Sequence, residues 1–242
     1  MKKTIKNIDI NYELYGEGED TLIFLHGWGQ NIQMMKMLGD RMMYNHKILI
    51  VDLPGHGLSD EPSYAWTLDD FVEMLKELIE ELKLKDIVLI GHSFGGKISL
   101  LYASKYSVKK VVVFGSPYKK KIKKDSLKLK VLRSLKKVPG VNKLEDVAKK
   151  HIGSTDYKNA SKVMREVLVN HVNQDITEDV KKIKVPLLIV WGTNDEMVPI
   201  EDAYELEKLV PGSGLVVYPN CTHYAYLENL NQTINVLKSF LD

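Results

Sequence analysis

The stretch Asp86-Ile87-Val88-Leu89-Ile90-Gly91-His92-Ser93-Phe94-Gly95-Gly96-Lys97-Ile98-Ser99-Leu100-Leu101-Tyr102-Ala103 decides the fold. Its first five residues are mostly apolar and β-branched and predict a buried strand. The residues from Gly96 onward are good helix formers with apolar side chains on one side and predict a helix. Ser93 falls at the corner between the two. Glycines two before and two after it let the backbones pack closely around a tight strand-to-helix turn. Such a turn exposes the serine oxygen and aims the next amides, at the helix N-terminus, toward the same point. That is how a nucleophile is displayed. The pattern G-x-S-x-G is weak by itself, and its weight comes from this context and from partners further along the chain.

A serine hydroxyl needs a base within hydrogen-bond reach, and the base needs an orienting acid. Val185-Pro186-Leu187-Leu188-Ile189-Val190-Trp191-Gly192 predicts another buried strand, and Asp195 lies in the loop after it. Gly214-Leu215-Val216-Val217-Tyr218 predicts a further strand, followed by the loop Pro219-Asn220-Cys221-Thr222-His223. Ser93, Asp195 and His223 are thus candidate nucleophile, acid and base, each just past a strand end. Their chain order, Ser, Asp, His, is that of α/β-hydrolases.

Five segments in order carry a resemblance over nearly the whole chain: His26-Gly27-Trp28-Gly29, Asp52-Leu53-Pro54-Gly55-His56-Gly57-Leu58-Ser59, Gly91 to Gly96, Gly192-Thr193-Asn194-Asp195, and Cys221-Thr222-His223. The chain resembles an α/β-hydrolase-fold serine hydrolase of the lid-bearing carboxylesterase type. The resemblance implies an α/β fold: a mostly parallel central sheet flanked by helices, the triad above the strand C-termini, and a helical lid. It also implies an oxyanion hole made by the backbone N–H groups of Trp28 and Phe94. His26, His92 and the turn residues of the Asp52–Ser59 segment are read as scaffold. Dehalogenase- and epoxide-hydrolase-type relatives use an aspartate nucleophile, and position 93 is serine. Thioesterases, lipases, lactonases, carbon–carbon bond hydrolases and perhydrolases share the triad and are not separated by it.

Strands are expected near 4–14, 21–25, 47–52, 86–91, 109–115, 185–192 and 214–218. A helix capped by Thr67 is expected from Leu68 to about Lys83, with Asp69 and Asp70 in its first turn. Phe71, Leu75, Leu78, Ile79 and Leu82 form its apolar stripe. A last helix is expected from about Leu227 toward Phe240. The hydrolase core is thus assigned to 1–116 and 185–242. Between them, 117–184 breaks the strand–helix rhythm and is assigned to the lid. Leu127, Val131, Leu135 and Val138 recur there at helical spacing, as do Val163, Val167 and His171. Tyr118 and His171 are candidates to face substrate, and equally to pack or lie at the surface. Met34 and Met35, beside Trp28, are candidates for an acyl pocket, although methionines at helical spacing also suit a core.

The 242 residues carry a net charge of only +2, yet Tyr118 to Lys150 holds 12 lysines and Arg133 against Asp125, Glu145 and Asp146, a local +10. This segment fits a solvated face, or a surface that steers an anionic partner. Partners of that kind are an acyl-carrier protein, coenzyme A or a carboxylate. The His-Gly-Trp-Gly loop adds a weaker likeness to pimeloyl-carrier-protein methyl ester esterases. That group often has leucine where Phe94 follows the serine here. No aromatic residues interleave with the lysines in a stacking pattern, so nucleic acid is not an expected partner.

With 44% hydrophobic residues the chain can bury one sizeable core. Its single cysteine, Cys221, excludes an intramolecular disulfide and fits a reducing compartment. The N-terminus alternates as a strand does and lacks a signal-like apolar run, and no stretch reaches the roughly 20 apolar residues of a membrane span. A cytoplasmic protein is expected. The expected reaction is hydrolysis of a small-molecule carboxylic ester through an acyl-enzyme, with no metal or cofactor. Carrier- or coenzyme-A-linked acyl hydrolysis, carbon–carbon bond cleavage or lysis on the same triad, and a ligand receptor on the same fold are the alternatives.

Overall fold

The computed structural model describes residues 1–120 and 160–242. Eight strands build one sheet: β1 (Lys2–Ile5), β2 (Ile8–Tyr15), β3 (Thr21–Leu25), β4 (Lys47–Val51), β5 (Ile87–His92), β6 (Lys110–Phe114), β7 (Leu187–Gly192) and β8 (Gly214–Tyr218). Their spatial order is β1-β2-β4-β3-β5-β6-β7-β8. β2 runs antiparallel to both neighbours, and every pairing from β4 to β8 is parallel. The helices are α1 (Ile32–Met42), α2 (Leu68–Glu81), α3 (Phe94–Lys105), α4 (Lys162–Asn173), α5 (Thr177–Val180), α6 (Ile200–Leu209), α7 (Ala225–Glu228) and α8 (Leu230–Leu241).

Central strands of a parallel sheet are covered on both faces, which is why they read as unbroken apolar runs. Alternate residues divide between two cores. Ile23, Leu25, Leu49, Val51, Leu89, Val111, Val113, Ile189 and Trp191 face one, with α2, α3 and α6 packed on it. Leu22, Phe24, Ile48, Ile50, Val88, Ile90, Val112, Phe114 and Val190 face the other, under α1 and α8. Burying each such side chain contributes about 1.5–3 kcal/mol.

Two expected elements are divided. The single strand at 4–14 is a hairpin, β1 to β2, because Lys6 and Asn7 take φ of 49° and 64° and set Ile5 opposite Ile8. Alternation continues through so tight a turn, so the pattern alone hides it. The last helix is broken at Asn229 (φ −115°, ψ 48°) into α7 and α8. α2 starts as expected at Thr67, whose side chain accepts from the Asp70 amide while Asp70 reaches back to the Thr67 amide. Its buried stripe holds Phe71, Leu75, Leu78 and Ile79. The basic run from Lys121 to Lys150 and the spacing at Leu127, Val131, Leu135 and Val138 lie outside the described residues. Val163, Val167 and His171 fall on α4, with Met164, Val167 and His171 buried.

Candidate active site

The turn between β5 and α3 holds Ser93 at φ 50° and ψ −110°, left-handed backbone for a residue with a side chain. Such a conformation costs about 1–3 kcal/mol and persists only where the surroundings over-determine it. Here the Ser93 amide donates to Phe114 O at 2.9 Å, the Lys97 amide to Ser93 O at 3.0 Å, and the Gly95 amide to His26 O at 3.1 Å. The flanking glycines are required by space. A Cβ on Gly91 would stand 2.5 Å from the Gly95 carbonyl oxygen, and one on Gly95 would stand 2.3 Å from that of Leu25.

Asp195 lies past the end of β7 with its carboxylate enclosed. Oδ2 meets His223 Nδ1 at 2.8 Å, and Oδ1 accepts the amides of Met197 and Val198 at 2.8 and 2.9 Å. Two amides and one imidazole thus fix the carboxylate, which in turn sets the tautomer and tilt of the imidazole. Gly115, just after β6, lies beneath this pair: a Cβ there would sit 3.0 Å from His223 Nδ1 and 3.1 Å from Asp195 Oδ2. Since Phe114 holds the Ser93 amide, the end of β6 supports the serine turn and the histidine together. The Ser93 hydroxyl makes no hydrogen bond to His223 in this structure.

The His26–Gly29 loop follows β3. His26 is fully buried. Its Nδ1 meets Gly27 O at 2.8 Å and its Nε2 accepts the Leu53 amide at 3.0 Å, tying this loop to the Asp52 turn. Burial, reinforced by His56, lowers its pKa to about 4, so it stays neutral. Asp52 organises the same region, accepting the Ile32 amide at 2.7 Å through Oδ1, and the Leu58 amide and Asn11 Nδ2 at 2.9 and 2.8 Å through Oδ2. Neither the Trp28 nor the Phe94 N–H has a hydrogen-bond partner among the described residues. The Trp28 and Phe94 rings meet edge to face, 5.4 Å between centroids.

The other sequence candidates separate. His171 joins the aromatic group: its ring centroid lies 4.4 Å from Phe94 and 6.5 Å from Trp28, nearly parallel to the latter. Its Nδ1 is buried without a hydrogen-bond partner among the described residues, and burial holds the ring neutral. Tyr118 is wholly buried in the core on that same side of the sheet, and its hydroxyl makes no hydrogen bond of normal geometry among the described residues. Met35 is not at the site. It is fully enclosed in the opposite core, with Leu22, Phe24 and Ile48, because α1 lies across the other sheet face. Met34 is half-buried on the same helix. Cys221 is buried, accepts from Asn229 Nδ2 at 2.9 Å, and has its thiol pKa raised by that burial. No three His, Cys, Asp or Glu side chains converge on a metal-sized site among the described residues.

Two residues escaped the sequence reading. Gln30 touches all three functional segments: Oε1 accepts the Gly27 amide at 3.0 Å and lies 3.3 Å from His92 Nδ1, while Nε2 donates to the Tyr224 hydroxyl at 3.4 Å. Lys97, on the helix that follows Ser93, is a buried lysine. Gln30 could have been suspected from its place three residues after Gly27, where a side chain can turn back on the loop. Nothing in the sequence marks Lys97.

Residues 22–234 match the alpha/beta hydrolase family. The chain belongs to this family. It is similar to the proline iminopeptidase of Saccharolobus solfataricus, 29% identical with 99% of this chain and 91% of that protein covered. It is also similar to the pimeloyl-[acyl-carrier protein] methyl ester esterase of Aliivibrio fischeri, 24% identical with 96% of each covered. Among solved structures, the esterase EaEST from Exiguobacterium antarcticum superposes with a TM-score of 0.78 at 22% identity, covering 99% of this chain and 98% of that one. The candidates Ser93, Asp195 and His223 follow the C-terminal ends of the parallel strands β5, β7 and β8. No helix among the described residues is long and apolar enough to cross a membrane.

Proposed function

We propose that this hydrolase cleaves carboxylic esters through an acyl-enzyme on Ser93. The observation that carries the reading is that the end of β6 underlies both the Asp195–His223 pair, 2.8 Å apart, and a serine held in strained backbone at a helix N-terminus. His223 takes the Ser93 proton through Nε2 as the serine oxygen attacks the ester carbonyl carbon. The carbonyl π pair moves to oxygen, and that oxyanion is met by the N–H groups of Trp28 and Phe94. Two preorganised donors suit this task, and removing one typically costs about 10²–10³ in rate. On collapse, His223 returns the proton to the departing alcohol. Water then attacks the acyl-serine with the same base, releasing acid and free serine. All of these groups belong to the chain itself.

Residues 117–184 are proposed as the lid over this site. α4 supports that assignment by placing His171 against Trp28 and Phe94. The basic run within the lid, together with the likeness to a carrier-protein methyl ester esterase, favours a substrate with an anionic handle. Added salt should then lower kcat/KM for an anionic ester and leave a neutral ester unaffected.

Initial rates on p-nitrophenyl esters from acetate to palmitate, for wild type and Ser93→Ala, test the reading. Turnover that disappears with Ser93→Ala supports it. Hydrolysis of proline p-nitroanilide with no ester turnover would replace it with a peptidase.

A further inference from the structure

Lys97 is only 1% exposed, and it forms no ion pair with a carboxylate among the described residues. Its Nζ donates instead to two backbone carbonyls, His171 O at 2.8 Å and Gln174 O at 2.5 Å. His171 lies in the last turn of α4 and Gln174 is its C-cap. Carbonyls at a helix C-terminus lack intrahelical donors and carry the negative end of the dipole, so an ammonium there fills a real vacancy. An apolar side chain would have filled the space without desolvating a charge. What the ammonium adds is a fixed position, since two carbonyls on one ammonium permit little sliding of α4 over α3.

The helix so held carries a particular ring. His171 packs 4.4 Å from Phe94 and stacks on Trp28, the two residues whose amides face the proposed oxyanion. Lys97 lies one helical turn after Ser93 on α3, so it joins the helix of the nucleophile to the helix of His171. We propose that Lys97 is a positioning residue for substrate binding: by gripping the α4 C-terminus it holds the His171 ring against Trp28 and Phe94. The proposal rests on the ester-hydrolase reading for its kinetic consequence, though not for its structural one. The titratable groups that bear on Lys97 are Asp175, which favours the charged form, and His171 itself. Gln174 is further tied to Asp69 of α2 at 3.3 Å. Burial brings the Lys97 pKa down to about 8, so the grip is charge-assisted at neutral pH and weaker above that value.

The test is a double-mutant cycle on wild type, Lys97→Met, His171→Leu and the double variant. Two readouts are taken: kinetics on a p-nitrophenyl ester, and Trp28 emission, obtained by subtracting the spectrum of each protein's Trp28→Phe counterpart. Each single variant should alter Trp28 emission and raise KM about tenfold, with kcat within about threefold of wild type. In the His171→Leu background, Lys97→Met should add less than about twofold to KM and nothing to the emission change. An equal effect of Lys97→Met with and without His171, or unchanged Trp28 emission, would overturn the proposal. If Lys97→Met does not purify as a folded protein, Lys97→Gln, which keeps donors at shorter reach, carries the same cycle. Absence of Ser93-dependent turnover in wild type would sink the ester reading alone, and the emission cycle would still decide the role of Lys97.

Discussion

His92 Nε2 lies 3.0 Å from the carbonyl oxygen of His223, so the residue before the nucleophile holds the backbone of the proposed base. The other ring nitrogen of His92 faces Gln30 Oε1 at 3.3 Å. That oxygen already accepts from Gly27, and both groups facing His92 are acceptors. A neutral imidazole has one N–H, and the shorter contact, to His223, takes it. Burial, with His223 next in effect, keeps His92 neutral by lowering its pKa to about 3. His92→Phe should therefore loosen the His223 loop without touching the substrate pocket. The expected result is a fall in kcat of about 10- to 100-fold with KM little changed, as for a misplaced catalytic group. A KM effect with intact kcat would count against this role.

Asp195 and Glu196 are adjacent carboxylates with unequal surroundings. Only Asp195 is enclosed, holding two amides on one oxygen and His223 on the other. Asp195→Asn should lower kcat by a large factor, about 10⁴ in the well-studied protease case, because an amide cannot keep the imidazole in the needed tautomer. Glu196→Gln should stay close to wild type. Steady-state kinetics on a single ester decides between the two.

The Thr67 cap gives a stability prediction free of catalysis. Its hydroxyl oxygen accepts the Asp70 amide, and Asp70 accepts from the Thr67 amide at 2.9 Å. Thr67→Ala should destabilise the protein by about 0.5–2 kcal/mol, and Thr67→Ser should restore most of that. Denaturant midpoints at constant m-value are the measurement. No change in activity at low temperature is expected, since α2 bears no proposed catalytic group.

Strand-end positions and the serine turn could be read from the sequence because both depend on local chemistry: β-branched runs for a doubly covered sheet, and glycines where backbones touch. The hairpin at Lys6-Asn7 could not, since neither residue has the glycine that usually announces such a turn. The place of Met35, acyl pocket or core, stays open in the sequence for a different reason. Adjacent residues on a helix point in different directions, and only the packing of α1 tells which sheet face each one meets. Lys97, and Gln30 in its contacts to His92 and Tyr224, act across sequence separations of 62 to 194 residues, which no local pattern encodes. The basic run is plain in the sequence; of it, Lys119 pairs with Asp202 and Glu205, and the residues from Lys121 onward lie outside the described residues.

Three histidines held neutral by burial, His26, His92 and His171, make the fold sensitive to acid. His26 and His92 have folded pKa values of about 4 and 3, both lowered mainly by burial, against 6.5 for the unfolded chain. A base with a depressed folded pKa binds fewer protons in the native state than in the unfolded one. The stability it contributes is complete above pH 6.5 and is lost as pH falls from there toward the folded value. Each ring contributes on the order of a few kcal/mol over that window. Urea midpoints should thus be flat near pH 7–8 and fall steeply from pH 6.5 to pH 4. His92→Phe should remove its own share of that slope, leaving those of His26 and His171, while lowering stability at pH 7. A pH slope unchanged by His92→Phe would mean that other groups, such as paired carboxylates, govern acid unfolding.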